Sequence, residues 1–310
     1  MKPSVIFTFL IFLLSKGISQ SPKKDLAQLG LKGPVKEVEI RTYQAIEHFG
    51  KPSKGDRINE NSSYSFNASG NQVEQNIYNK NGSLRVRCEY IYNANGKLQE
   101  QNQYNPGGAL KSKFKYRYNT LHGSLEEQGL YKPDGKLNAR YTYVYDDQMN
   151  QTAYNHYNAS DVQDERAVFI YDKNNNLTEW GLYNADDGAT LQKAKYLYDE
   201  KRNLTEEKLL KPDESMDGKT NYTYDANNNA TEVIVYDGDG KITKRTQYAY
   251  DLQKNITEEI SLDKDGVKLE QYSYKYSFDK QQNWIKKITL KNGVPVLITE
   301  REFIYFSGRK

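Results

Sequence analysis

The chain reads as an all-β protein: tandem antiparallel β-hairpin repeats forming one long twisted, coiled or shell-like sheet. Three observations predict this. Aromatic residues recur as doublets two positions apart, as at Tyr222-Thr223-Tyr224-Asp225 and Tyr248-Ala249-Tyr250-Asp251. The second aromatic falls at Phe66, Tyr92, Tyr118, Tyr145, Tyr171, Tyr198, Tyr224, Tyr250, Phe278 and Tyr305, at intervals of 26 to 28 residues. Between doublets lie two short strand patterns separated by turns rich in Gly, Asn and Asp. A fixed period of this size marks stacked repeats, each burying its apolar face against its neighbours.

Taken in order, residues 1–19 read as a secretory signal peptide. Lys2 is a minimal basic n-region, Val5 to Leu14 an apolar run, and Gly17-Ile18-Ser19 supplies small residues for cleavage. That run is shorter than the roughly 20 residues of a transmembrane helix, and no later stretch approaches such a length. Cys88 is the single cysteine, which excludes an intramolecular disulfide and leaves no anchor cysteine beside the cleavage site. The expected destination is the periplasm, the cell surface or the extracellular space.

Residues 20–63 are expected to form a polar linker and a divergent capping repeat, with a helical turn near Asp25 to Leu29 and a strand from Val35 to Tyr43. Residues 64–310 form the repeat array. Each unit resolves into two strands, for example 229–236 and 241–250. Turns at Asn81-Gly82, Asn95-Gly96, Asp134-Gly135, Asp187-Gly188, Asp217-Gly218, Asp239-Gly240, Asp265-Gly266 and Asn292-Gly293 suit hairpins that need positive φ. The alternate turns are Asx-rich runs such as Asp172-Lys173-Asn174-Asn175-Asn176.

Alternation assigns the faces. Leu84, Val86, Cys88, Tyr90 and Tyr92 share one, and Arg85, Arg87 and Glu89 the other. Roughly twenty strands at about 4.8 Å each would run close to 100 Å if flat, well beyond the usual span of a twisted open sheet. The sheet must therefore coil, fold onto itself or form a partly open shell. Val35–Tyr43 and Leu297–Tyr305 are its expected edges, free to pair with another chain.

Composition limits function. There are 27 tyrosines in 310 residues but a mean hydropathy of −0.92, so Tyr carries much of the apolar burial. The formal charge of +3 gives no electrostatic reason to expect nucleic acid. His48, His122 and His156 are isolated, and no zinc pattern, nucleophile elbow or phosphate loop occurs. Asp172-Asn174-Asn176 places oxygens at alternate positions, as calcium loops do, but Asx-turn chemistry accounts for it without metal. Cations on the outward positions, such as Lys113, Lys115, Arg117 and Lys275, oppose a lipid-facing barrel. No cofactor, metal or catalytic residue is expected, and the chain is read as a non-enzyme.

The combination Tyr-x-Tyr-Asp, Asn-Leu-Thr-Glu and Asp-Gly resembles the Rhs/YD-repeat family of secreted bacterial β-repeat proteins. Tyr198-Asp199 through Asn203-Leu204-Thr205-Glu206 carries it best, with Tyr171-Asp172 through Glu179 and Tyr250-Asp251 through Glu258. The resemblance covers most of residues 64–305, at a longer period and without a toxin domain. It implies a spiralling β-shell, and carbohydrate binding has been proposed for such repeats. The site residues singled out are the structural repeat aromatics: Tyr90, Tyr92, Tyr116, Tyr118, Tyr143, Tyr145, Phe169, Tyr171, Tyr196, Tyr198, Tyr222, Tyr224, Tyr248, Tyr250, Tyr276 and Phe278. Such rings can stack on sugars or serve as core cross-strand pairs. The expected role is an exported binding or structural module meeting a glycan or another surface protein. The alternative is a shell that encloses or neutralises another polypeptide.

Overall fold

The computed structural model describes residues 25–58 and 61–307. The signal-peptide expectation for 1–19 lies outside the described residues. After a four-residue helix, α1 (Asp25–Gln28), every further element is a strand. The first four are β1 (Val35–His48), β2 (Lys51–Arg57), β3 (Asn61–Phe66) and β4 (Gln72–Tyr78). Next come β5 (Leu84–Tyr92), β6 (Leu98–Tyr104), β7 (Leu110–Tyr118), β8 (Leu125–Tyr131) and β9 (Leu137–Tyr145). The middle of the chain holds β10 (Gln151–Tyr157), β11 (Gln163–Tyr171), β12 (Leu177–Asn184), β13 (Thr190–Tyr198) and β14 (Leu204–Leu210). The last are β15 (Met216–Tyr224), β16 (Ala230–Asp237), β17 (Ile242–Tyr250), β18 (Ile256–Leu262), β19 (Lys268–Phe278), β20 (Trp284–Lys291) and β21 (Val294–Tyr305).

From β3 to β21 each strand pairs antiparallel with the next. The sheet then closes. β1 pairs with β21 along one side, from Val35↔Tyr305 to Gln44↔Leu297. Its other side pairs with β3 through Glu37↔Ser65 and with β2 through His48↔Lys51, so β2 and β3 act as one broken strand. The result is a closed barrel of twenty strand positions, which corrects the open or coiled sheet expected from the sequence. Val35–Tyr43 and Leu297–Tyr305 are not edges, since they are hydrogen-bonded to each other. Residues 35–57 are staves of the ring rather than a cap on it. Closure removes the unpaired backbone groups that an open array would leave at both ends.

Most of the turns repeat one geometry, while Asn119–Ser124 and Asn184–Ala189 are one residue longer. In Asp225–Asn229 the Asp225 N–H donates to the Asn229 carbonyl at 2.9 Å and the Asn228 N–H to the Asp225 carbonyl at 3.2 Å. Asn79–Ser83, at the opposite rim, does the same at 2.8 and 2.9 Å. The fourth residue takes the left-handed conformation, with φ of 61° at Asn228 and 85° at Gly82, the signature of a three-residue loop with a bulge. Among the described residues, only Phe49-Gly50 and Asn292-Gly293 form two-residue connections with both φ positive. Asp217-Gly218 is corrected: it lies inside β15, and the turn there is Lys211–Ser215, with Glu214 at φ 65°.

Side-chain chemistry fixes the Asx rim. Asp225 Oδ1 accepts from the N–H groups of Asn227 and Asn229 at 2.8 and 2.9 Å, and its Oδ2 accepts from Asn229 Nδ2 at 2.9 Å. These bonds hold its carboxyl below the usual carboxylate range. Thr231 is the bulged residue that follows, and its hydroxyl donates to the Thr223 carbonyl. Glu232 then faces outward and pairs with Arg245 at 2.8 Å. Tyr-x-Tyr-Asp and Asn-x-Thr-Glu are thus one rim corner, read from its two strands.

Helix α1 and the segment after it bridge the seam at this rim. Asp25 accepts from the Gln72 N–H and the Tyr92 hydroxyl, while the Lys32 N–H donates to Asn283 Oδ1 at 2.8 Å. Leu31 is buried with Val35, Val38 and Phe66.

Candidate functional site

A closed ring has a concave and a convex face. The doublet rings lie on the protected one, where Phe169 and Ala194 are buried and Tyr143 and Tyr196 are half-buried; Lys115, Val144 and Leu197 between them are exposed. The doublets therefore line the inner wall. Were twenty strands arranged in a circle at the usual barrel tilt of about 40°, the backbone diameter would be about 40 Å.

The outer face is a solvated lattice of charge and aromatic. Each return strand except β14, β18 and β20 ends in a tyrosine that closes this face or, like Tyr236, nearly so. Arg87 stacks over Tyr104 at 4.4 Å, Arg140 over Tyr157 at 3.8 Å and Lys219 over Tyr236 at 4.7 Å. Sequence reading missed this third tyrosine of the unit, although its recurrence 12 or 13 residues after the second is visible in the sequence.

Inside, the aromatics form two tiers. The rim tier stitches hairpins together: the hydroxyls of Tyr92, Tyr171, Tyr198, Tyr224 and Tyr250 donate to the carbonyls of Gln72, Gln151, Leu177, Leu204 and Ala230, at 2.7–3.0 Å. The middle tier comprises Tyr90, Tyr116, Tyr143, Phe169, Tyr196, Tyr222 and Tyr248. Burial pushes the hydroxyls of Tyr90, Tyr116 and Tyr143 well above the usual phenol range. Tyr118 and Tyr145 share the rim level, with Lys97 over the Tyr118 ring at 5.1 Å. The doublet at Tyr276 and Phe278 is displaced because β19 is two residues longer than its counterparts. Tyr276 takes the rim role, donating to the Ile256 carbonyl at 2.9 Å, Tyr274 the middle one, and Phe278 lies beyond both.

Opposite the penultimate aromatic of each unit is one inner position that does not obey the repeat. It is Gln75, Gln101, Gln128, Tyr154, Trp180, Glu207, Val233, Glu259 and Lys287 in successive hairpins. Six of these residues link to the next unit's tyrosine. Tyr90, Tyr116 and Tyr143 donate to the Oε1 atoms of Gln75, Gln101 and Gln128 at 3.1–3.2 Å. Trp180 Nε1 donates to the Tyr196 hydroxyl at 2.8 Å. Glu207 interacts with Tyr196 and Tyr222, and burial raises its carboxyl above the usual range. Tyr274 donates to Glu259 Oε2 at 3.3 Å. The inner wall is thus a continuous aromatic and hydrogen-bonding surface whose chemistry changes around the ring. It is amide-rich on β4–β8, apolar on β10–β13 apart from His156 and Glu165, acidic at β14 and β18, and basic at β20–β21.

Cys88 is buried on this wall opposite Gln75. His156 faces Asp164, Nδ1 to Oδ1 at 2.5 Å, and packs on Tyr141. Among the described residues no group of three or more His, Cys, Asp or Glu is placed to hold a metal ion, and no helix is long and apolar enough to cross a membrane.

No family model and no curated protein matches the chain. Among solved structures it is similar to a porin-like protein from Bacteroides uniformis at 14% identity, covering 88% of this chain and 98% of that one, with a TM-score of 0.36. It is also similar to a TcdB2-TccC3 structure at 13% identity, covering 87% of this chain but 18% of that one, with a TM-score of 0.33. A DUF1329 family protein from Desulfovibrio piger matches at 9% identity over 89% of this chain and 88% of that one, with a TM-score of 0.20. Likenesses this weak carry no argument about what the chain does.

Proposed function

We propose that the chain is an exported, non-catalytic binding module of the periplasm or cell surface, akin to the YD-repeat proteins, whose inner wall takes up a glycan. One observation carries the reading. The inner wall keeps its aromatic tiers constant while varying a single polar or aromatic position per hairpin. Half-buried phenol rings offer flat apolar faces to sugar C–H surfaces, and the Gln and Glu positions offer the directional partners that sugar hydroxyls need. A scaffold that needed only core packing would fill those positions with aliphatic residues, as it does at Val233.

The non-catalytic reading is supported by the spacing of Glu207 and Glu259 on the inner wall. Paired-carboxylate glycoside hydrolysis needs two carboxyls about 5–10 Å apart, one of them free to act as acid. Glu207 and Glu259 lie four strands apart, roughly 19 Å along the wall. Glu270, diagonal to Glu259 on β19, is ion-paired with Lys291. The closed ring also favours a second reading, a shell around another polypeptide. A glycan array probed with the purified chain, together with co-purification from the native host, tests both. Selective glycan binding lost on Tyr116→Ala and Tyr143→Ala supports the first reading, and a stoichiometric polypeptide partner without glycan binding replaces it with the second. Saccharide hydrolysis that disappears with Glu259→Gln would overturn the non-catalytic reading.

A further inference from the structure

Beside the closing seam, the inner wall carries two cations that no carboxylate neutralises. Lys287 is the variable position of β20, opposite Tyr276 and Thr299. Arg301 lies on β21 opposite Ile40. Both share Trp284: the Arg301 guanidinium lies 3.5 Å from the centroid of its ring and Lys287 Nζ 5.7 Å from it. Lys287 Nζ also lies 5.6 Å from the Tyr274 ring. Arg301 Nε is buried without a hydrogen-bond partner. Among the described residues neither cation forms an ion pair.

The contrast with the rest of the molecule is informative. Outer-face cations such as Arg41, Lys113, Lys219 and Arg245 each meet a carboxylate. On the inner wall Lys291 meets Glu270. Glu259, on the wall at β18, lies on the far side of the Tyr274 ring from Lys287 and accepts that residue's hydroxyl. Glu300 and Glu302 alternate with Arg301 and face outward, toward Lys54 and Arg41. Desolvation opposes both charges: it lowers Lys287 from its ordinary value and Arg301 to about 10, and the Arg301 charge lowers Lys287 further. Two adjacent, desolvated like charges destabilise a fold unless something compensates them.

We infer that Lys287 and Arg301 form the seat for an anionic group carried by a saccharide, a uronate carboxylate or a sugar sulfate. The sugar ring would lie against the neighbouring Tyr274 and Tyr276, and the oxyanion would take the ammonium and the planar guanidinium fork. This rests on the reading of the inner wall as a saccharide surface and names the class of saccharide. Both sources of the oxyanion satisfy the same two cations, so the test carries both.

The experiment is titration calorimetry of the full chain with tetragalacturonate, a sulfated tetrasaccharide and uncharged maltotetraose. Wild type is compared with Lys287→Met, Arg301→Met and the outer-face control Lys195→Met. Each inner variant is expected to weaken the charged ligand at least tenfold, to leave maltotetraose unchanged and to remain folded by circular dichroism. Lys287→Met, which keeps most of the side-chain volume, is also expected to raise the thermal midpoint of the ligand-free protein while abolishing the midpoint gain from the anionic ligand. The arm that binds identifies the oxyanion. Equal binding of charged and uncharged saccharides by wild type and both inner variants would overturn the inference while leaving the saccharide surface standing. Absence of binding by every saccharide would overturn both. A lowered ligand-free midpoint in both inner variants, without any change in anion binding, would make the pair a packing element.

Discussion

The hydroxyl of Tyr224 donates to the backbone carbonyl of Leu204 at 2.7 Å. The ladder between β14 and β15 runs only from Leu210↔Met216 to Glu206↔Asn221, so it stops before Leu204. A side chain therefore holds successive hairpins together at the Asx rim, where backbone pairing has ended. The same substitution of phenol for ladder recurs at Tyr171, Tyr198, Tyr250 and Tyr276. Tyr224→Phe is expected to cost about 1 kcal/mol, the usual net worth of such a bond. Tyr224→Ala is expected to cost about 2–3 kcal/mol, below the 3–5 of a fully buried ring because this one is half-buried. Urea unfolding of the two variants checks both values. A Phe variant as stable as wild type would show that the rim needs only the ring.

Lys254 occupies the left-handed position of the turn Asp251–Asn255 with φ 65°. The equivalent residues of the turns beginning at Asn67 and Asn93 are Gly70 and Gly96. A non-glycine residue there costs about 1 kcal/mol in steric strain. The exposed Lys254 side chain returns only a bond to the Asn227 carbonyl at 3.1 Å. Lys254→Gly is therefore expected to raise stability by about 0.5–1 kcal/mol, read as a higher urea midpoint at unchanged slope. A decrease would mean that the bond between neighbouring turns outweighs the strain.

Alkaline pH should unfold the barrel cooperatively. Burial pushes the phenols of Tyr145, Tyr171, Tyr222 and Tyr274 up to about 12, against about 10 in an unfolded chain. The folded state thus favours the neutral phenol. The resulting stabilisation is complete below about pH 10 and is lost as pH rises from there through about 12. Phenolate absorbance and the β-sheet circular dichroism signal should change together. Phenolate appearing near pH 10 with the sheet intact would mean that the inner wall is freely hydrated.

The period, the hairpins and the aromatic face were legible in the sequence because each depends on neighbours within one unit. Which residues of the return strands face inward was not. The bulge at Thr205 shifts the alternation, so that Leu204 and Glu207 share the inner face while a strict period of two would pair Leu204 with Glu206. The same bulge, at Ile285, hides Lys287 from a period-two reading. The rim role of Tyr276 was obscured for a related reason, since the longer β19 adds Phe278 after it. Closure was not legible either. It depends on curvature accumulated over nineteen strand pairings, and on β1 being long enough to pair with β2, β3 and β21 together.

Closure makes a covalent prediction. Thr42 and Thr299 face each other across the seam, their hydroxyl oxygens 3.2 Å apart, although they are 257 residues apart in sequence. With Cys88 replaced by Ala, Thr42→Cys combined with Thr299→Cys is expected to oxidise to an intramolecular disulfide, because directly opposed strand residues bring their Cβ atoms within bridging range. The product should migrate as a monomer without reductant, lose mobility when reduced, and unfold at a higher midpoint when oxidised, since the bridge closes a very long loop. Each single variant should remain unbridged. An open or spiral sheet would leave the two strands apart, and the double variant would then give mixed dimers whose yield rises with protein concentration. A monomeric disulfide whose yield is independent of concentration is accessible only to the closed ring.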